Sequence, residues 1–264
     1  MQLRIVHRTR YAYDNPVGYA LQRVRATPVA GQTQRVIDWT LAFEGGREEL
    51  RYTDHHGNDT RLLSVGGGVS EIVVTASGTV ETSDTAGVIG MQYGFAPLWL
   101  FLRQTPLTQA GEGVASLADG IEGRDTLERL HAVTAVIAER VAYRAGATNV
   151  ATTAEEALAI GEGVCQDHAH LFLAAARHLK VPARYVSGYL HLDAGGDQAA
   201  MHAWAEAHVD GLGWVGFDPA NGISPDARYV RVATGLDYRD AMPVSGIRAG
   251  QSREELAVHI TVEQ

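Results

Sequence analysis

Three residues in the second half of the sequence, Cys165, His202 and Asp218, are of the types that nucleophilic catalysis by cysteine requires. An imidazole can take the proton from a thiol, and a carboxylate can hold that imidazole in one tautomer and stabilise its charged form. The residues are 37 and 16 positions apart. Only a fold that returns the chain to one place can therefore assemble them.

Cys165 is predicted to lie at or near the N-terminus of a helix. Gly161 and Gly163 interrupt the preceding segment, and helical spacing of apolar residues begins at Cys165 and continues through CQDHAHLFLAAARHLK. The backbone N–H groups and the positive dipole end at such a position stabilise an anion by about 0.3–2 kcal/mol. Most free cysteines are small buried hydrophobic residues, and that interpretation stays open beside the nucleophile.

His202 and Asp218 are predicted to meet at one end of a β-hairpin. HAWAEAHV alternates from His202, Asp210 and Gly211 supply a turn, and GWVGFD ends on Asp218. His202 lies 9 residues before Gly211 and Asp218 lies 7 after it. Antiparallel pairing would therefore make the two side chains neighbours.

The order and spacing of these motifs resemble a known superfamily. Papain-type enzymes place the histidine roughly 130–150 residues after the cysteine, which excludes papain itself. The motifs GVCQDHAH, ARYVSGY, HAWAE and GWVGFDPANG, in this order, resemble the transglutaminase-like superfamily. More narrowly, the sequence is similar to bacterial transglutaminase-like cysteine proteases with an N-terminal β domain.

The resemblance implies a fold and a mechanism. The fold would be α+β, with an N-terminal antiparallel β-sandwich-like domain before a papain-like core, in which a helix carrying the cysteine packs against an antiparallel sheet carrying the histidine and aspartate. Cys165 would be the nucleophile, His202 the general base and acid, and Asp218 the orienting group. Family analogy also suggests a functional link to ATP-grasp-type ligases.

This mechanism predicts acyl transfer from a peptide or carboxamide bond through a thioester intermediate, with hydrolysis favoured. Two alternatives stay open, a protein-glutamine transamidase and a catalytically silent binding module. Calcium activation is not expected, because the chain is far shorter than the animal transglutaminases. No cofactor is expected, and the expected partner is a peptide or protein substrate.

Several further residues are candidates for the oxyanion site or the cleft, namely Gln166, Trp204, Tyr143 and Tyr189. Asp167 or His168 could contact the active site, but a helix-surface role is expected for both. A metal site is disfavoured because His168 and His170 would point about 200° apart on a helix.

Composition excludes several classes of protein. The sequence has 264 residues, with 22 Lys and Arg against 31 Asp and Glu and 45% hydrophobic residues, so it is neither disordered nor suited to nucleic acid. A single cysteine excludes an intrachain disulfide. The sequence shows neither a membrane-spanning apolar run nor a secretory leader, so a soluble cytoplasmic protein without a membrane partner is expected.

The periodicity predicts three regions. Residues 1–85 alternate as strands and form the β domain, residues 86–123 form a connecting segment, and residues 124–264 form the catalytic core with C-terminal strands. Helices are predicted after Asp125 and over Thr153–Ile160, the latter with a capping box. A glycine-rich loop is predicted at Asp193–Gln198.

Overall fold

The computed structural model describes residues 1–91, 96–192, 200–250 and 252–264. The glycine-rich loop predicted at Asp193–Gln198 lies outside these ranges. The strands are β1 (Gln2–Val17), β2 (Tyr19–Val24), β3 (Gln34–Glu44), β4 (Arg47–Thr53), β5 (Asp59–Val65), β6 (Val69–Thr82), β7 (Val88–Gly90), β8 (Ala142–Tyr143), β9 (Glu162–Gly163), β10 (Ala183–Leu190), β11 (His202–Val209), β12 (Gly213–Phe217), β13 (Tyr229–Gly235), β14 (Val244–Ala249) and β15 (Glu254–Glu263). The helices are α1 (Glu112–Asp119), α2 (Thr126–Arg140), α3 (Ala154–Ile160), α4 (Cys165–His178) and α5 (Tyr238–Ala241), with a 3-10 helix at Leu98–Leu102.

The N-terminal strands form two antiparallel four-stranded sheets, in the orders β15-β1-β6-β3 and β14-β2-β5-β4. The alternation of Leu3 and Ile5 with polar residues places every second side chain of β1 inside. Val24 and Leu63 of one sheet are buried together with Val74 of the other. The predicted β-sandwich-like arrangement is confirmed.

A five-stranded antiparallel sheet, β13-β10-β11-β12-β7, positions the candidate site. Helix α4 packs against β11, whose alanines at alternate positions allow a close approach. Helices α1, α2 and α3 pack around α4, so that α4 is buried along nearly its whole length. The α+β fold class expected from the resemblance is therefore present.

The helices predicted before α4 begin at the expected caps. The side chain of Asp125 accepts a hydrogen bond from the backbone N–H of Glu128 at 2.9 Å. Thr153 and Glu156 exchange the two hydrogen bonds of a capping box at the start of α3. Both predictions are confirmed.

The three regions interlock more than a linear division of the chain suggests. Residues 86–123, interpreted as a connection, include β7, which extends the core sheet beside β12, and α1, which packs on α4. Strands β14 and β15, grouped with the core by sequence, pair with β2 and β1 in the N-terminal sheets. A single apolar cluster therefore includes Leu3 and Ile260 together with residues of α4.

Candidate active site

Cys165 is the first residue of α4 and is partly exposed. The carboxylate of Asp167 folds back over this turn, where it accepts hydrogen bonds from the Val164 N–H at 2.8 Å and the Thr148 hydroxyl at 2.6 Å. A Cβ atom at Gly163 would lie 2.8 Å from the Cβ of Asp167, so only glycine leaves room for this arrangement. The backbone N–H of Cys165, at the first helical position, has no acceptor within the helix.

His202 and Asp218 lie at the same end of the predicted hairpin. Strands β11 and β12 are antiparallel, with Ala205 opposite Phe217, so the chain reaches Asp218 beside the start of β11. The Nε2 atom of His202 lies 2.7 Å from Oδ2 of Asp218. The hairpin and the proximity of these two side chains are as predicted.

The carboxylate of Asp218 is fully buried and fixed by further donors. The Tyr229 hydroxyl and the Asn221 side-chain amide both donate to Oδ2 at 2.7 Å. The backbone N–H of Ala220 donates to Oδ1 at 3.0 Å. These bonds leave the carboxylate with one orientation toward the imidazole.

This environment favours the charged form of His202. Burial alone would lower its pKa, but the hydrogen bonds to Asp218 and Cys165 and their negative charges outweigh burial and raise the pKa from 6.5 to about 10. For Asp218, burial would raise the pKa, but His202, Asn221 and Tyr229 together hold it below its usual value. The pair therefore favours an imidazolium beside a carboxylate.

The same imidazole lies close enough to Cys165 for the charge of the sulfur to contribute to its raised pKa. Because Nε2 is occupied by Asp218, the remaining ring nitrogen, Nδ1, is the one available to the sulfur. An imidazole between a thiol and a carboxylate can remove the thiol proton, hold it as imidazolium and deliver it to a leaving group.

Two of the other predicted candidates lie next to these three residues. Trp204 shares a strand face with His202, and their rings stack with centroids 6.1 Å apart. Trp204 is 2% exposed, so it supports the imidazole from within the sheet. Tyr143 is exposed, and its pKa is raised by partial burial and by the charges of Cys165 and Asp218. Gln166 follows Cys165 and is partly exposed; its role stays a prediction.

Tyr189 is not a cleft residue. Its side chain is buried, and its hydroxyl makes a 2.9 Å hydrogen bond with Nδ1 of His7 on β1. The ring also lies 6.2 Å from that of Trp39 on β3. The alternation of β10 places Tyr189 at the contact between the core sheet and an N-terminal sheet, which the local sequence does not reveal.

The helix-surface role expected for Asp167 and His168 is also wrong. Both are buried, at 2% and 1% exposure. His168 contacts the carbonyl oxygens of Val164 at 2.8 Å and Val141 at 2.9 Å, which ties α4 to the end of α2. The packing of α1, α2 and α3 around α4 buries faces that an isolated helix would expose.

Sequence reasoning missed three residues of this site. Asn221 stands three positions after Asp218 in DPANG, and such spacing is typical of a turn in which an aspartate side chain binds following backbone N–H groups. Nothing in the local sequence marks Tyr229 as a site residue, because it lies on β13, a different strand of the sheet. Tyr185 is buried, and burial together with the charge of Cys165 raises its pKa, which places it close to the sulfur.

Among the described residues, no three His, Cys, Asp or Glu side chains are arranged to hold a metal ion. None of the helices in the same ranges has the length and apolar character needed to span a bilayer.

Comparison with known proteins assigns the two halves of the chain. Residues 115–219 match the model of the transglutaminase-like superfamily, and residues 3–81 match that of the bacterial transglutaminase-like N-terminal region. The chain therefore has a transglutaminase-like core and a bacterial transglutaminase-like N-terminal region. The match to the core spans Cys165, His202 and Asp218.

Relatives of this transglutaminase-like protein share its whole length. An uncharacterized protein of Mycobacterium leprae is 29% identical over 275 aligned positions, which cover 99% of this chain and 98% of the relative. An uncharacterized protein of Mycobacterium tuberculosis is 29% identical, covering 92% of this chain and 86% of the relative. The crystal structure of a "Putative Cysteine Protease" from Cytophaga hutchinsonii has a TM-score of 0.75 and 24% identity, covering 100% of this chain and 92% of that one. That likeness establishes the shared fold.

Proposed function

We propose that this transglutaminase-like protein is a cysteine peptidase or amidase that cleaves peptide or carboxamide bonds. The observation that supports the proposal is the 2.7 Å contact between His202 and Asp218 beside Cys165, whose charge contributes to the raised pKa of His202. The thiol stands at the exposed start of a buried helix, where a substrate carbonyl can approach it.

The reaction follows from the positions of these groups. With His202 as the imidazolium, Cys165 reacts as the thiolate, and its sulfur attacks the carbonyl carbon to give a tetrahedral oxyanion, which the backbone N–H of Cys165 can stabilise. The imidazolium then donates its proton to the leaving amine as the C–N bond breaks, and a thioester remains. Asp218 holds the ring in one tautomer throughout.

Water completes the cycle. His202 removes a proton from a water molecule that attacks the thioester, and the carboxylic acid leaves as the C–S bond breaks, which restores the thiolate beside the imidazolium. If an amine enters in place of water, the product is a new amide, and the protein acts as a transamidase. The expected cytoplasmic location and peptide-like substrate belong to this proposal.

Amide turnover tests the proposal directly. The wild-type protein and Cys165→Ala should be incubated with a library of peptides and carboxamides while released ammonia or amine is measured. We expect release from at least one substrate class by the wild type alone. Equal release by both proteins, or none by either, would contradict the assignment.

Adding a primary amine to the same assay separates the two outcomes of the thioester. Hydrolysis yields a free acid at a rate that the amine does not change, whereas transamidation yields the amine adduct. Mass spectrometry of the products distinguishes them. Accumulation of the adduct as the main product would reassign the protein as a transamidase.

Alkylation with iodoacetamide separates an enzyme from a catalytically silent module. Cys165 is the only cysteine in the sequence, so incorporated label reports this thiol alone. We expect His202→Ala to slow labelling at pH 7, because the thiol loses its proton acceptor, whereas His208→Ala on the same strand should not. Equal rates for all three proteins would favour the binding module.

A further inference from the structure

A second concave site lies on the opposite face of the core sheet from α4. It is a cavity of about 510 Å³ between the sheet, the Asp54–Asn58 turn and the 3-10 helix. Its volume falls within the range of small-molecule sites in proteins, about 300–1,000 Å³. His202 and His208 lie six positions apart on β11, so the cavity is about 20 Å along the strand from the candidate catalytic imidazole.

Basic groups dominate the polar part of the wall. Among the described residues that line the cavity there are two arginines and three histidines, and no aspartate or glutamate. This bias is notable in a chain with a formal net charge of −9. An anion is therefore the ligand that this wall would attract.

Arg184 is held rigidly in that wall. Its guanidinium lies 3.9 Å above the Trp214 ring and donates to Glu206 at 2.6 Å, and the side chain is almost fully buried. Arg231 approaches the other oxygen of Glu206 at 2.9 Å. Glu206 lies behind the wall and fixes both guanidinium groups at the edge of the cavity, which reduces the entropy lost when a ligand binds.

His56 closes the wall beside the arginines. Its side chain is 0% exposed, and its Nε2 lies 3.5 Å from Oδ2 of Asp240. The hydrogen bond and charge of His56 lower the pKa of Asp240. The carboxylate therefore holds this imidazole in place, and His56 shapes the cavity while the guanidinium groups supply the charge.

The remaining wall is apolar and partly aromatic, with Phe101, Trp214, Ile89 and Leu98. We propose that this cavity binds an aromatic carboxylate, whose charged end meets the arginines and whose ring lies against this apolar surface. The ligand is either a free small acid or the C-terminal residue of a peptide, since both present the same group.

Calorimetric titration of the full protein tests the proposal with three probes: N-acetyl-phenylalanine, its uncharged amide, and Gly-Gly-Phe. We expect the acid to bind at least tenfold more tightly than the amide. If Gly-Gly-Phe binds more tightly than N-acetyl-phenylalanine, the ligand is the C-terminus of a peptide. If N-acetyl-phenylalanine binds more tightly, the ligand is a free small acid. Equal affinity of acid and amide, or no binding of any probe, would overturn the proposal.

Matched variants locate the binding. Leu98→Trp should fill the cavity and weaken binding of N-acetyl-phenylalanine at least tenfold. Leu102 lies on the same 3-10 helix but outside the cavity lining, so Leu102→Trp should leave this binding unchanged. Protein alkylated at Cys165 should bind unchanged. Loss of binding on alkylation, or an unaffected Leu98→Trp, would place the probe elsewhere.

Discussion

Two buried histidines of this protein, His202 at the candidate active site and His170 in the middle of α4, have opposite electrostatics. Burial lowers the pKa of His170 to about 3, with the charges of Arg177 and Arg239 adding to the effect. Burial also opposes the charged form of His202, yet its pKa is raised to about 10. The difference is a fixed carboxylate, which His202 has and His170 lacks.

The surroundings of the two rings explain this contrast. His170 Nε2 accepts a hydrogen bond from the backbone N–H of Tyr238 at 3.1 Å, which requires a neutral ring nitrogen. His202 contacts Asp218, which Tyr229 and Asn221 hold in place. The interior therefore uses an imidazole as a neutral acceptor, whereas the site can use one as a proton carrier.

The largest expected effect comes from removing the carboxylate. Asp218→Asn should lower kcat for amide cleavage by about 10³–10⁴-fold, because the imidazole loses its tautomer control and its charge stabilisation. Circular dichroism should show an unchanged fold. Asp226→Asn is the matched control, since Asp226 is paired with Arg228 outside the site. A similar rate loss in both variants would remove the special role of Asp218.

Titration by NMR would sharpen the comparison. In the wild type we expect the His202 ring to titrate near pH 10 and the His170 ring to stay neutral down to about pH 3. In Asp218→Asn the pKa of His202 should fall by more than one unit, because burial lowers this pKa and the carboxylate that raises it is gone. An unchanged titration of His202 in that variant would show that the carboxylate does not control its charge.

A smaller effect is expected at Tyr229. Tyr229→Phe keeps the ring but removes the 2.7 Å hydrogen bond to Asp218. A hydrogen bond to a charged group contributes about 1.5–3 kcal/mol, so kcat should fall by about tenfold or somewhat more. KM should change little, because Tyr229 contacts the carboxylate and not the substrate. A change confined to KM would assign Tyr229 to substrate binding instead.

The smallest effects concern stability and pH. Because the pKa of His170 is lowered in the folded state, the unfolded chain binds its proton more readily, and stability should fall as pH drops from 6.5 toward 3. For His202 the pKa is raised, so its contribution is complete below 6.5 and is lost as pH rises through 10. Urea unfolding across this range measures both. In a plot of unfolding free energy against pH, His170→Gln should flatten only the fall on the acid side. His202→Gln should flatten only the fall on the alkaline side.

The sequence predicts the local elements of the site well and its wider surroundings poorly. Cys165 could be placed at a helix start and His202 beside Asp218, because glycines, turn residues and alternation act over a few residues. Tyr229 and Tyr185 could not be found, since they reach the site from other strands of the sheet. Tyr189 was misplaced for the same reason, because strand alternation does not tell which face meets which neighbour.

The pairing of β1 with β15 has a consequence for biosynthesis. Arg4 lies opposite Glu263, so β1 can acquire this neighbour only after all the residues between them have been synthesised. Contacts between residues so far apart in sequence form slowly, and an unpaired strand edge is prone to aggregation until its partner strand is available. Because Leu3 and Ile260 share one cluster with α4, a nascent chain released early would carry its thiol on an incomplete scaffold.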